Sequence, residues 1–247
     1  MQNDTPRHLR LWRDARFAVP LNIIAVIAGG LAVDRALGWA GQHMATLWAM
    51  VVLAWLYRIG GREERRVLVL CTLIAGLGEI VLSLVWGLYD YQFQNVPLFV
   101  PPGHALLMTL GLVLAHHVRL PAAWLVTAGA ALWAVHAWTG GFDRFGVVLF
   151  GVYLLCMITS GARALYATMF VLALVMEMYG TALGNWRWRA LAPGLGLTQF
   201  NPPFSAGAFY CLLDLLVLAA LRALPAAASE GNGSAPADSS GSVRKKP

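Results

Sequence analysis

Apolar runs about as long as a bilayer is thick recur along this chain from residue 18 to residue 224. A helix that crosses the hydrocarbon layer needs about 20 mostly apolar residues, and its backbone polar groups must be satisfied within the segment. Applied here, the rule predicts eight spans: 18–38, 43–59, 67–88, 103–118, 121–138, 144–160, 162–183 and 205–224. The expected fold class is all-α, a polytopic integral membrane helical bundle of about eight transmembrane helices. Charge agrees with this, because only 12% of the residues are charged, against about 25% in soluble domains. A soluble enzyme, a disordered chain and a disulfide-stapled secreted domain are excluded.

The domain plan follows from the same runs. Residues 1–17 read as a cytoplasmic N-terminal segment and 18–224 as a single transmembrane domain. The small, polar and Pro/Gly-containing stretch 225–247 reads as a disordered cytoplasmic tail. Arg7 to Arg16 ahead of an apolar run resembles the start of a signal peptide, but the run is too long and lacks a small-x-small cleavage site. It reads as an uncleaved first span. With both termini inside, fourteen of the eighteen Lys and Arg fall on the inner side and four on the outer: Arg35, Arg144, Arg187 and Arg189. The expected location is a bacterial inner membrane, crossed several times, with both termini cytoplasmic.

The net charge of +6 does not mark a nucleic-acid partner, since the basic residues lie scattered between apolar spans rather than on one face. Both lysines, Lys245 and Lys246, are in the tail, so no embedded lysine exists to carry retinal as a Schiff base. Cys71, Cys156 and Cys211 all fall inside apolar runs with no metal-ligand spacing and read as packing residues. His116 and His117 are adjacent, and ligands that share a helix face are three or four residues apart. No metal and no other cofactor is expected.

Two outer loops differ from the rest of the chain. Leu88 to Pro102 and Gly184 to Phe204 are aromatic, contain proline and are too apolar for solvated loops. Extended, partly re-entrant segments folded against the bundle are expected, because proline does not continue a helix interior. The two loops also resemble each other. Glu79 precedes Gly87-x-Tyr89-x-Tyr91 and then Asn95-Val96-Pro97, while Glu177 precedes Gly184-x-Trp186-x-Trp188 and then Asn201-Pro202-Pro203. Four spans separate the copies, so 18–120 and 121–224 read as two parallel four-helix repeats.

Ionisable groups inside a membrane default to functional candidates. Glu79 and Glu177 lie in the outer halves of spans that lead into these loops, and Asp214 lies at a comparable depth. His104 opens the fourth span at the same face, with Asp90 at a boundary. Glu79, Glu177, Asp214 and His104 are the catalytic candidates; the bland alternative is that they hydrogen-bond across helices and hold the bundle. Tyr89, Tyr91, Asp90, Trp186, Trp188 and Asn201 are the substrate-binding candidates, although Trp and Tyr are also ordinary interfacial residues. Asp34 and Asp143, beside Arg35 and Arg144, read as solvated or paired charges.

The pattern of a membrane glutamate, G-x-aromatic-x-aromatic and a Val-Pro or Asn-Pro loop resembles the CruF-type carotenoid hydratase family. The matching pieces are Glu79, Gly87, Tyr89, Tyr91 and Val96-Pro97, then Glu177, Gly184, Trp186, Trp188 and Asn201-Pro202. The resemblance implies a cofactor-independent enzyme that hydrates the terminal double bond of an acyclic carotenoid. A buried carboxylic acid would protonate the isoprenoid double bond, and water would capture the tertiary cation with help from a second carboxylate. The expected partners are membrane lipid and a lipid-soluble substrate. A proton-coupled or small-molecule transporter and a noncatalytic membrane scaffold remain as alternatives.

Overall fold

Gly38 decides how the N-terminal apolar stretch folds. The computed structural model describes residues 18–224, so the readings made for 1–17 and 225–247 lie outside the described residues. Helix α1, Ala18–Ile59, covers both of the first two expected spans, but Gly38 leaves helical geometry at φ 60°, ψ −132°. The chain doubles back there. A Cβ on Gly41 would run into the Val33 carbonyl, and one on Gly30 would sit 3.6 Å from the Ala45 Cβ, whereas residues fifteen apart on a straight helix stand about 22 Å apart. Glycine accepts both the positive φ and the close approach because it has no Cβ.

The remaining helices are α2 (Arg62–Glu79), α3 (Val100–Ala115), α4 (Leu120–Gly140), α5 (Arg144–Thr159), α6 (Arg163–Leu183) and α7 (Gly207–Ala223). A π-helix, Ile80–Val85, continues α2 without a break. Among the described residues these make seven α-helices, four of which (α1, α2 with its extension, α4 and α6) are long and apolar enough to cross a membrane. At 16 residues each, α3 and α5 are shorter, about 24 Å against a hydrocarbon layer of about 30 Å. The outward faces are apolar; Leu125 and Leu132 on α4 and Val85 after α2 are largely exposed, which lipid would cover.

Local chemistry sets the boundaries. Pro101 and Pro102 sit in the first turn of α3, and Pro121 in that of α4, where the missing N–H costs nothing. Gly141 and Gly184 end α4 and α6 in the left-handed conformation. Packing places α3 and α7 at the centre: α3 lies against α2, α1 and α6, and α7 against α5, α6 and α2. Four short strands complete the fold: β1 (Tyr89–Tyr91), β2 (Trp186–Trp188), β3 (Leu191–Ala192) and β4 (Leu197–Thr198). β1 pairs antiparallel with β2, and β3 with β4.

Two charges expected to be solvated or paired with the adjacent arginine are buried and bonded elsewhere. Asp34 accepts from Asn185 Nδ2 at 2.7 Å, while its neighbour Arg35 turns away to donate to the Leu183 carbonyl at 2.8 Å and to Gln92. The arginine thereby caps the C-terminal end of α6. Asp143 accepts from the backbone N–H groups of Gly146, Phe200 and Phe204, tying the start of α5 to the second aromatic loop. Burial pushes the Asp143 carboxyl above its ordinary range, and the three backbone donors oppose that rise. Cys71, Cys156 and Cys211 are free and buried in the core.

Candidate active site: two caged carboxylates

The two glutamates arrive in matched surroundings by different local routes. From Glu79 to Gly87 the chain takes eight residues, and from Glu177 to Gly184 it takes seven. The extra residue of the first stretch is absorbed by the π-helix Ile80–Val85, since a π-turn is what one residue inserted into an α-helix produces. Gly87 at φ 73° and Gly184 at φ 86° then turn the chain into β1 and β2.

Those strands pair Tyr89 with Trp188, Asp90 with Arg187 and Tyr91 with Trp186. Strand side chains alternate between faces, so the four aromatics turn inward while Asp90 and Arg187 face out. The two aromatic loops therefore join as a ribbon that roofs the bundle. Their sequences carried the signal, because Tyr-Asp-Tyr and Trp-Arg-Trp alternate with period two and set opposite charges across from each other. The expectation of extended segments against the bundle did not include this pairing.

Under the ribbon each carboxylate is held by three donors. Glu79 Oε2 accepts from Tyr91 at 2.7 Å and Tyr89 at 2.8 Å, and its Oε1 lies 2.8 Å from His104 Nε2. Glu177 Oε2 accepts from Trp186 Nε1 at 2.8 Å and Trp188 Nε1 at 3.0 Å, and its Oε1 accepts from Tyr210 at 2.9 Å. The His104 and Tyr210 rings stack with centroids 4.7 Å apart, which brings the two cages into contact. The cages differ in what they can exchange. An indole N–H only donates, whereas a histidine nitrogen either donates or accepts. Glu177 Oε2 is thus fixed as an acceptor, while Glu79 and His104 share a proton that either partner can carry. His104 Nδ1 is buried and has no hydrogen-bond partner.

All eight of these side chains line one cavity of about 480 Å³, whose other walls are mainly apolar residues of α1, α2 with its π-extension, α3, α6 and α7. That size falls within the range of small-molecule sites. Of the ten residues singled out from the sequence, seven meet here: Glu79, Glu177, His104, Tyr89, Tyr91, Trp186 and Trp188. Three do not. Asp90 is half-exposed and pairs with Arg189 at 3.1 Å outside the ribbon. Asn201 is exposed, and its Oδ1 accepts from the Trp188 backbone N–H at 2.8 Å, a loop pin. Asp214 is fully buried away from the cavity, with neither oxygen hydrogen-bonded. Depth along a helix misplaced it, because depth does not say which way a side chain faces.

Tyr210 is the site residue that the sequence reading missed. Its signal was present: His104 follows Asn95 by nine residues, and Tyr210 follows Asn201 by nine. The second loop hides the match by inserting nine residues before its Asn, which form the β3–β4 hairpin region. Among the described residues no three His, Cys, Asp or Glu gather where they could hold a metal ion. Against family models, curated proteins and solved structures, the chain finds no match.

Proposed function

We propose that the chain is an integral membrane enzyme performing hydration-type acid/base chemistry on a lipid-soluble isoprenoid such as an acyclic carotenoid. The observation that carries the reading is the pair of carboxylates, each held by three donors, at the polar end of one apolar cavity. An apolar chain fits the walls, and the caged acids supply the chemistry at its end.

In this reading the Glu79–His104 pair gives its shared proton to a terminal double bond. The π electrons form the new C–H bond and leave a tertiary cation. The faces of Tyr89, Tyr91, Trp186 and Trp188 stabilise positive charge, and the Glu177 carboxylate adds its own field. A carboxylate offers about four acceptor positions, and three on Glu177 are taken. The fourth orients the water whose oxygen bonds to the cation, and it takes up the proton released. A further water in the cavity carries that proton from Glu177 back to the Glu79–His104 pair, so the net change is one water added and no electrons transferred. No cofactor has a step here.

The same proposal includes eight crossings, counting the two arms of α1 separately, with both termini cytoplasmic and the halves 18–120 and 121–224 related by duplication. What supports duplication is the correspondence of Glu79 with Glu177, Tyr89 and Tyr91 with Trp186 and Trp188, and His104 with Tyr210 across an antiparallel strand pair. A second reading, a proton-coupled carrier, is favoured by one observation: Asp214 is a buried carboxyl without a partner, of the kind that marks ion paths in membranes.

The test is mass spectrometry of pigments from a lycopene-producing bacterium that expresses the chain. The wild type should yield a product heavier by one water, and Glu79→Gln should yield none at equal expression. An unchanged pigment profile from well-folded wild type would sink the hydratase reading for lycopene. Proton-driven uptake abolished by Asp214→Asn would then favour the carrier.

A further inference from the structure

The two cages are alike in their donors but not in the space beside them. The residue before Glu79 is Gly78 and the residue before His104 is Gly103; before Glu177 and Tyr210 the same places hold Met176 and Phe209. All four line the cavity. A Cβ built on Gly78 or Gly103 meets no atom within 4 Å, so the glycines leave open room against Glu79 and His104. Met176 and Phe209 put bulk into the equivalent room beside Glu177 and Tyr210. The cavity is therefore lopsided toward the cage with the exchangeable proton, and His104 Nδ1 is left without a partner there.

The cavity also has a side entrance. Leu77 and Val81 on α2 and its π-extension, and Leu216 on α7, line it and yet are 64%, 44% and 48% exposed. Exposure and lining together put the mouth on the flank of the bundle, between α2 and α7. Around it the surface continues apolar through Leu73 and Leu84. A water-soluble ligand would have to cross that surface, whereas a chain already dissolved in lipid reaches the mouth directly.

We infer that a long apolar chain enters sideways from the bilayer between α2 and α7 and docks its end in the room left by Gly78 and Gly103, against Glu79 and His104. The chemical class, an isoprenoid chain, rests on the function proposed above; the docking position rests on the lopsided cavity and its lateral mouth. Glu177 and its indoles form the far wall. The rest of the ligand stays in the mouth and in the surrounding lipid.

The experiment is photolabelling of the full chain in phosphatidylcholine nanodiscs, with labelled peptides mapped by mass spectrometry. One probe is geranylgeraniol carrying a diazirine at its far end, and the other is a saturated alcohol of equal length with the same diazirine. The isoprenoid probe should label α2 and α3 near Gly78 and Gly103, with little label near Met176 and Phe209. Gly78→Leu and Gly103→Leu fill the room without touching a carboxylate. Each should cut that labelling by about tenfold or more at an unchanged unfolding temperature. The wild-type map decides the placement even if a variant fails to fold. Label concentrated at Met176 and Phe209 overturns the placement and leaves the isoprenoid reading standing. Equal labelling by the saturated probe near Gly78 and Gly103 keeps the placement and overturns the isoprenoid class. Cavity peptides free of label from both probes overturn the two together.

Discussion

The Glu79 and Glu177 cages are built to one plan and filled with different chemistry. In each, a carboxylate near the ribbon end of a helix accepts two donors from an aromatic strand and a third from the next helix along. The Glu79 cage uses phenols and an imidazole, whose protons can move, and has glycines beside it. The Glu177 cage uses two indoles and a phenol, and has Met176 and Phe209 beside it. Two equal acids would have no reason to divide their roles; in the reaction proposed above, unequal donors and unequal room are what divide them. The pair that can exchange a proton lies where the space is, and the carboxyl oxygen that only accepts lies where it is not.

The sharpest way to break this comparison is to remove the acid from one half. Glu79→Gln keeps an acceptor for Tyr89 and Tyr91 but removes the shared proton, and should lower product yield by roughly 10²–10⁴-fold, the usual weight of a general acid. An equal loss from a variant outside the cavity would indicate a folding defect instead. Next in size is His104→Tyr, which gives the first cage the donor that the second already has in Tyr210. A phenol can still bond to Glu79 but gives up its proton far less readily. Yield should drop by about 10²-fold or more while the unfolding temperature holds. Full activity in His104→Tyr would remove the imidazole from the mechanism.

How much of this was legible in the sequence differs between the helices and the site. The apolar runs located five of the seven helices to within three residues at each end, because insertion into lipid depends on composition and length. Runs 18–38 and 43–59 fall in one helix broken at Gly38, and run 67–88 begins five residues inside α2. The paired glutamates and aromatics were visible as repeated spacing. The β1–β2 ribbon that joins the loops was not anticipated, since it links residues about a hundred positions apart. Tyr210 was hidden by the hairpin inserted before Asn201. Asp90, Asn201 and Asp214 were drawn into the site by depth and proximity alone, and the fold turns them elsewhere.

Stability should separate the cages in the opposite direction. Glu177→Ala leaves two indole N–H groups and one phenol without their acceptor. At about 0.6 kcal/mol for an average interhelical hydrogen bond, and up to about 1.7, the loss should come to roughly 2–5 kcal/mol. Denaturant unfolding in mixed micelles measures it. A cost below that of Glu79→Gln would mean that the indole cage is not the structural half.

The smallest effect belongs to the loop that distinguishes the halves. Asp143 pins the second aromatic loop through Phe200 and Phe204. Burial raises its carboxyl above the ordinary value of 3.8, against the pull of the backbone donors. A carboxyl raised on folding adds stability that is complete below its unfolded value and is lost as pH climbs through the folded value. Unfolding free energy should therefore decline as pH rises from about 3.8, and Asp143→Asn should flatten that decline. A slope identical in both proteins would remove Asp143 as its source.

Composition and spacing by themselves determined that this chain is helical and apolar enough to lie in a membrane, and that two glutamates head two aromatic loops. Those are properties of local segments, set by transfer of side chains into lipid and by the rigidity of proline and glycine. Only the tertiary structure decided that the loops pair, that His104 stacks on Tyr210 and that Gly78 and Gly103 open room on one side. Contacts of that kind depend on which way each helix is rotated, and packing against its neighbours sets that rotation.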